Sequence, residues 1–181
     1  MRIILLAIVL FLGHCSFAQI ETSREITQKD LQKINKEVEK EAAKFKKSLS
    51  DDYLSADQVE FSVDTFKIQL IATKKMEIDY STMGMNIAVD EMTKSYDKLM
   101  NKYYSKLLQL LKTEDKKILI TTQKAWLAFR DAEIKLIGTV AEEKYSGGGS
   151  IQSNIATGRF SDLIIKRTVD IFDYYDGIQK E

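Results

Sequence analysis

"MNIAVDEMTKSYDKLMNKYYSKLLQL", residues 85–110, decides the fold. Met85, Val89, Met92, Tyr96, Leu99, Tyr103 and Leu110 recur at steps of four and three, and Leu107 fills the one gap. A helix turns about 100° per residue, so this spacing gathers the apolar side chains on one stripe. A stripe of about seven turns needs other helices to cover it. The chain has no proline and only eight glycines, so little interrupts helices on either side. The expected fold is all-α: an antiparallel helical bundle with an additional charged N-terminal helix.

Upstream, "DTFKIQLIATKKMEI" (64–78) fits a helix, with Phe66, Leu70 and Thr73 on one side. Before it, residues 57–63 read two ways: Val59, Phe61 and Val63 alternate, which suits a short strand, inside a chain expected to be all-α. Thr82 is the candidate N-cap of the stretch that opens this section. Residues 22–50 are rich in Lys, Glu and Ala. Leu31, Ile34, Val38, Ala42, Phe45 and Leu49 give them a narrow apolar stripe, which Ser50-Asp51-Asp52 ends. Their charges are of mixed sign, so this helix is expected to lie solvated along the body.

Downstream, Thr113-Glu114-Asp115 marks a stop and a new start, with acids where the helix dipole favours them. That helix is expected to run to about Lys144. "YSGGGS" (145–150) breaks it, with Ser150 placed to cap a last helix carrying Phe160, Ile164, Ile171 and Tyr175 on one face. The loop is no phosphate loop, because it lacks the lysine at the required spacing and no strand precedes it.

The first eighteen residues read as a secretory signal peptide: Arg2, the apolar run Ile3 to Leu12, then Ser16 and Ala18 before a cut ahead of Gln19. Lipidation at Cys15 ranks second, since His14 precedes it. The expected organisation is a signal peptide at 1–18, an N-terminal helix and connector at 19–63, and a helical domain at 64–178. The expected location is periplasmic or secreted, with no membrane span in the mature chain. Removing the signal takes away the only histidine, the only cysteine and one basic residue, leaving 26 basic against 27 acidic groups and a formal charge of −1. Such a chain cannot build a Ser-His-Asp or Cys-His site. Zinc sites made of carboxylates alone are unusual, and no cofactor is expected. The charge balance argues against nucleic acid.

The only tryptophan sits in "QKAWLAFRDAE", residues 123–133. On a helical wheel Leu119 and Ile137 fall close to Trp126, and Arg130 and Glu133 lie within about 40° of it. One cation and one anion thus interrupt an apolar face. Buried charges are costly unless paired and hydrogen-bonded. Two readings stand: Arg130 pairs with Glu133 or a carboxylate of another helix while the indole N–H finds a carbonyl, or Trp126 and Arg130 are binding anchors. Arg167 is a candidate member of the same network.

"QKAWLAFRDAE", "YSGGGSIQ" and "KRT", in that order, resemble the lysozyme inhibitor LprI-like family of exported bacterial proteins. "DYSTMGMNIAVDEMTKSYDKLMNKYY" looks like that family's first core helix. The resemblance covers roughly residues 77–172. It implies a small all-helical domain and lysozyme inhibition by protein–protein contact. Where many relatives have cysteines, this chain has Ala88, Ile134 and Arg159, so no disulfide is implied.

The candidate binding residues are Trp126, Arg130, Glu133, Tyr145, Gly147, Gly148, Ser150 and Arg167. The candidate partner is a lysozyme or another envelope protein. Asp90, Glu91 and Asp97 are candidates for an acidic face towards a cationic lysozyme. The second reading is a structural or interaction module of the envelope, reaching a partner through Tyr103, Tyr104, Tyr174 and Tyr175 or pairing through the N-terminal helix.

Overall fold

The computed structural model describes residues 23–49 and 53–178. The expected signal peptide and the Ser50-Asp51-Asp52 break lie outside the described residues. Six helices follow one another: α1 (Gln28–Ser48), α2 (Ala56–Ile78), α3 (Thr82–Leu110), α4 (Thr113–Ala141), α5 (Glu143–Ser146) and α6 (Ile151–Asp176). Among the described residues there is no strand.

The helix starts follow local chemistry. Thr27 and Ser55 close capping boxes with Asp30 and Gln58, satisfying backbone donors that α1 and α2 would otherwise leave orphaned. The Ser55 box overturns the strand reading of 57–63. It starts a helix just upstream, and Phe61 is then drawn into tertiary contacts that three alternating residues cannot outweigh. Ser81, not Thr82, caps α3, its hydroxyl accepting from the Gly84 N–H at 3.0 Å. α4 has no side-chain cap, and carries Glu114 and Asp115 in its first turn. It ends at Ala141, short of Lys144.

Consecutive long helices run antiparallel: Phe45 stacks on Phe66 between α1 and α2, and Lys106 and Lys75 tie opposite ends of α2 and α3. α3 and α6 therefore run parallel. Asn86 donates to Ser153 near their starts, and Tyr103 meets Phe172 near their ends. The buried core lies mainly along α3 and α6: Tyr96, Leu99, Met100, Tyr103 and Leu107 against Ile164, Thr168, Ile171, Phe172 and Tyr175. Thr168 donates to the Tyr96 carbonyl at 3.1 Å inside it. The covered arc of α3 is rotated from the expected stripe, because α2 packs on one side and α6 on the other. Ala88 and Thr93 are buried, whereas Leu110 is exposed.

α2 joins this core from residues upstream of the resemblance. Phe61 stacks on Phe172 at 3.9 Å and meets Tyr103 edge-on at 5.3 Å. Such aromatic pairs add about 0.5–1.5 kcal/mol beyond burial. Around them runs a ladder of ion pairs. Lys106 donates to Asp57 and Glu60, Lys102 reaches Glu60 and Asp64, and the Tyr175 hydroxyl donates to Asp57.

Candidate functional site

α4 lies at the edge of the bundle, against α6. Leu119 and Ile137 are its buried residues, while Gln123, Trp126, Arg130 and Glu133 between them are half-buried. These six share one face at alternating steps of four and three.

Two guanidinium groups approach the Trp126 ring. The Arg130 carbon stands 5.7 Å from the ring centroid and the Arg167 carbon 5.8 Å. Both lie within the range of cation–π attraction, worth about 0.5–2 kcal/mol according to desolvation. The two cations differ in surroundings. Arg167 comes from α6, is only 6% exposed, and directs Nε and Nη2 to Gln123 Oε1 at 3.0 and 2.9 Å. Among the described residues no carboxylate pairs with it. Arg130 stays at the rim and pairs with its neighbour Asp131 at 2.7 Å.

The expected Arg130–Glu133 pair is therefore corrected: Asp131, already turned towards solvent, takes the guanidinium without dragging a second charge into the interface. The indole N–H donates to no protein acceptor among the described residues. Gln123 is the group that answers Arg167. It also donates to Met100 of α3 at 3.8 Å, so one amide ties α4 to both α3 and α6.

The glycine loop stands apart. Fifteen residues of α4 separate Trp126 from the helix end, about 22 Å. Gly147, Gly148 and Gly149 all have positive φ, which a side chain would strain. Tyr145 points out, 65% exposed, with Lys144 over its ring. Ser150 stands at the N-cap position of α6 but is itself helical and makes no side-chain cap bond, contrary to expectation. Trp126, Arg130, Gln123 and Arg167 thus form one cluster, whereas Tyr145, Gly147, Gly148 and Ser150 belong to another end of the molecule.

Two open cavities flank α4. One of about 800 Å³ opens between α3, α4 and α6 and is lined by Met83, Ile87, Ile134, Ile137 and Phe160. The other, about 570 Å³, is lined by Leu107, Ile118, Leu119, Arg167 and Tyr174. The acids proposed for an acidic face are largely committed: Asp90 pairs with Lys94 and Glu91 with Lys75. Tyr103 and Tyr175 are buried, leaving Tyr174 as an exposed member of the tyrosine set. Among the described residues no group of acidic side chains is arranged to hold a metal ion, and no helix is long and apolar enough to cross a membrane.

The model of the family described as lysozyme inhibitor LprI matches residues 72–170, more than half of the chain. The chain belongs to the LprI family. The matched region opens near the end of α2 and takes in the Trp126–Arg130–Arg167 cluster and the glycine loop, so these features lie within the LprI region. α1 and most of α2 precede it. An uncharacterized protein of Rhizobium meliloti (strain 1021) is 27% identical over 112 residues, covering 55% of this chain and 77% of the relative. No solved structure matches. LprI is an inhibitor family rather than a catalytic one.

Proposed function

We propose that this LprI protein is an exported, non-catalytic binding protein that inhibits a lysozyme-type muramidase by contact through the α4 side of the bundle. The arrangement of Trp126 carries the reading. A half-buried indole with the guanidinium groups of Arg130 and Arg167 both within 6 Å of its ring centre joins an amphipathic ring to arginine, the residue chemistry that dominates protein–protein hot spots. A muramidase cleft lined by carboxylates is complementary to it. Family membership supports the choice of target. The signal-like N-terminus supports encounter outside the cytoplasm.

The test is lysis of cell walls by several lysozyme types with and without the purified protein. Dose-dependent protection against one type is expected, and Arg130→Ala, at the rim, should weaken it while leaving helicity intact. Absence of both inhibition and calorimetric heat with every type would sink this reading. The exposed apolar flank of α4 favours a second one, an envelope interaction module without a lysozyme target.

A further inference from the structure

α4 carries a second apolar stripe that nothing in the described structure covers. Ile118, Ala125, Phe129, Ala132, Leu136 and Val140 follow one another at steps of seven, four, three, four and four. All lie within about 40° of one direction, roughly 80° round the helix from Trp126. All six are exposed; Ile118 is 65%, Phe129 51% and Leu136 53% accessible. The stripe spans 23 residues, about 33 Å, and includes no charged residue. In a protein with 30% charged residues, that much open, neutral, heptad-spaced surface is the pattern of a helix-packing seam.

We propose that this stripe is a self-association surface, joining α4 to α4 of a second copy in an antiparallel, two-fold pair. The order of side-chain sizes points to the second copy. A two-fold axis on the stripe's side of α4, at the level of residue 127, places Ile118 opposite the second copy's Leu136, Thr122 opposite its Ala132, and Ala125 opposite its Phe129. Each large ring thus faces a small residue at the centre, Ile118 and Leu136 pair further out on both sides, and Val140 meets Glu114 of the second copy at each end. No like charges meet within the seam. With all of it covered, the stripe buries roughly 500 Å² per copy and about 1,000 Å² per pair, below stable interfaces of about 1,200–2,000 Å² and within the range of weak, transient ones. The pair is therefore a weak, concentration-dependent dimer. The inference stands independently of lysozyme inhibition.

Sedimentation velocity of the purified protein from low micromolar to submillimolar concentration tests it. The wild type should shift from monomer to dimer. Phe129→Glu and Ala125→Glu should remain monomeric with unchanged far-ultraviolet circular dichroism. Lys124→Glu, on another side of α4, should dimerise normally. In a Cys15→Ser background, Thr122→Cys mixed with Ala132→Cys should form a disulfide-linked pair that neither variant forms alone. The proposal is overturned by a wild type that stays monomeric, by a dimer that survives Phe129→Glu, or by cross-linking of each cysteine variant to itself. It is equally overturned if the monomer instead loses binding to a lysozyme on Phe129→Glu.

Discussion

Arg167 and Gln123, 44 residues apart, meet across the α4–α6 interface through two hydrogen bonds to a single amide oxygen. The arginine is buried, and a neutral group rather than a carboxylate answers it. Removing that group leaves a buried cation under-satisfied, so Gln123→Leu should cost about 2–3 kcal/mol in urea denaturation. The double variant Gln123→Leu/Arg167→Met should recover most of that loss, because an apolar pair needs no hydrogen bonds there. A double variant as unstable as the single one would show that the arginine contributes through packing alone.

Trp126 and Arg130 share a face yet should separate cleanly on substitution. The indole packs against the Leu99–Tyr103–Ile171 core cluster while keeping an exposed edge. Trp126→Ala should therefore cost about 2–4 kcal/mol, below the loss for a fully buried tryptophan. Arg130 pairs with an exposed aspartate, and Arg130→Ala should stay within about 0.5 kcal/mol of wild type. Thermal melts of both variants measure the difference; equal losses would place Arg130 in the core.

The α3 stripe and the α4 face were legible because periodicity reports which side of a helix is covered. What covers it was less so. Steps of four and three place Arg130 and Glu133 together, but the choice of Asp131 as partner depends on which neighbour stays in water once α6 arrives. Gln123 gained its role only from Arg167, a long-range relation that no local pattern encodes. The ladder of Asp57, Glu60 and Asp64 against Lys102 and Lys106 had a visible signal, matched charges at helical spacing on two helices. It was obscured because residues 57–63 read two ways. Three alternating residues are a weak period beside a capping box. The outer stripe of α4 has the same helical period as the tryptophan face, and periodicity alone does not say which of two apolar faces the bundle covers.

That ladder gives stability a pH dependence. Hydrogen bonds from Lys106 and then Lys102 hold the Glu60 carboxyl below its ordinary value of 4.5, outweighing the opposing effect of burial. The folded state therefore binds this proton less readily than the unfolded chain. The contribution is complete above the ordinary glutamate range and is lost as pH falls through the folded value. Denaturation midpoints measured from pH 7 to pH 3 should drop, and Glu60→Gln should flatten that part of the drop. A variant with an unchanged acid slope would remove Glu60 from the account.

Asp79 makes a different demand, on Gly84. Its Oδ1 accepts from the hydroxyls of Ser23 at 2.8 Å and Ser81 at 2.6 Å, and from the Ser81 N–H at 3.2 Å, stitching the chain before α1 to the turn before α3. These bonds hold its carboxyl below the usual aspartate range, Ser81 first and Ser23 next. The carboxylate lies where a side chain on Gly84 would begin: a Cβ there would stand 2.1 Å from Asp79 Cγ. Gly84→Ala must push the carboxylate out of its bonds, although alanine otherwise favours a helix by about 1 kcal/mol over glycine. The expected net result is a loss of about 1–3 kcal/mol, together with faster amide exchange at Ser81. Asp79→Ala/Gly84→Ala should be more stable than Gly84→Ala alone, since the clash is gone. If the double variant is the less stable of the two, the close approach of Asp79 is not what keeps glycine at position 84.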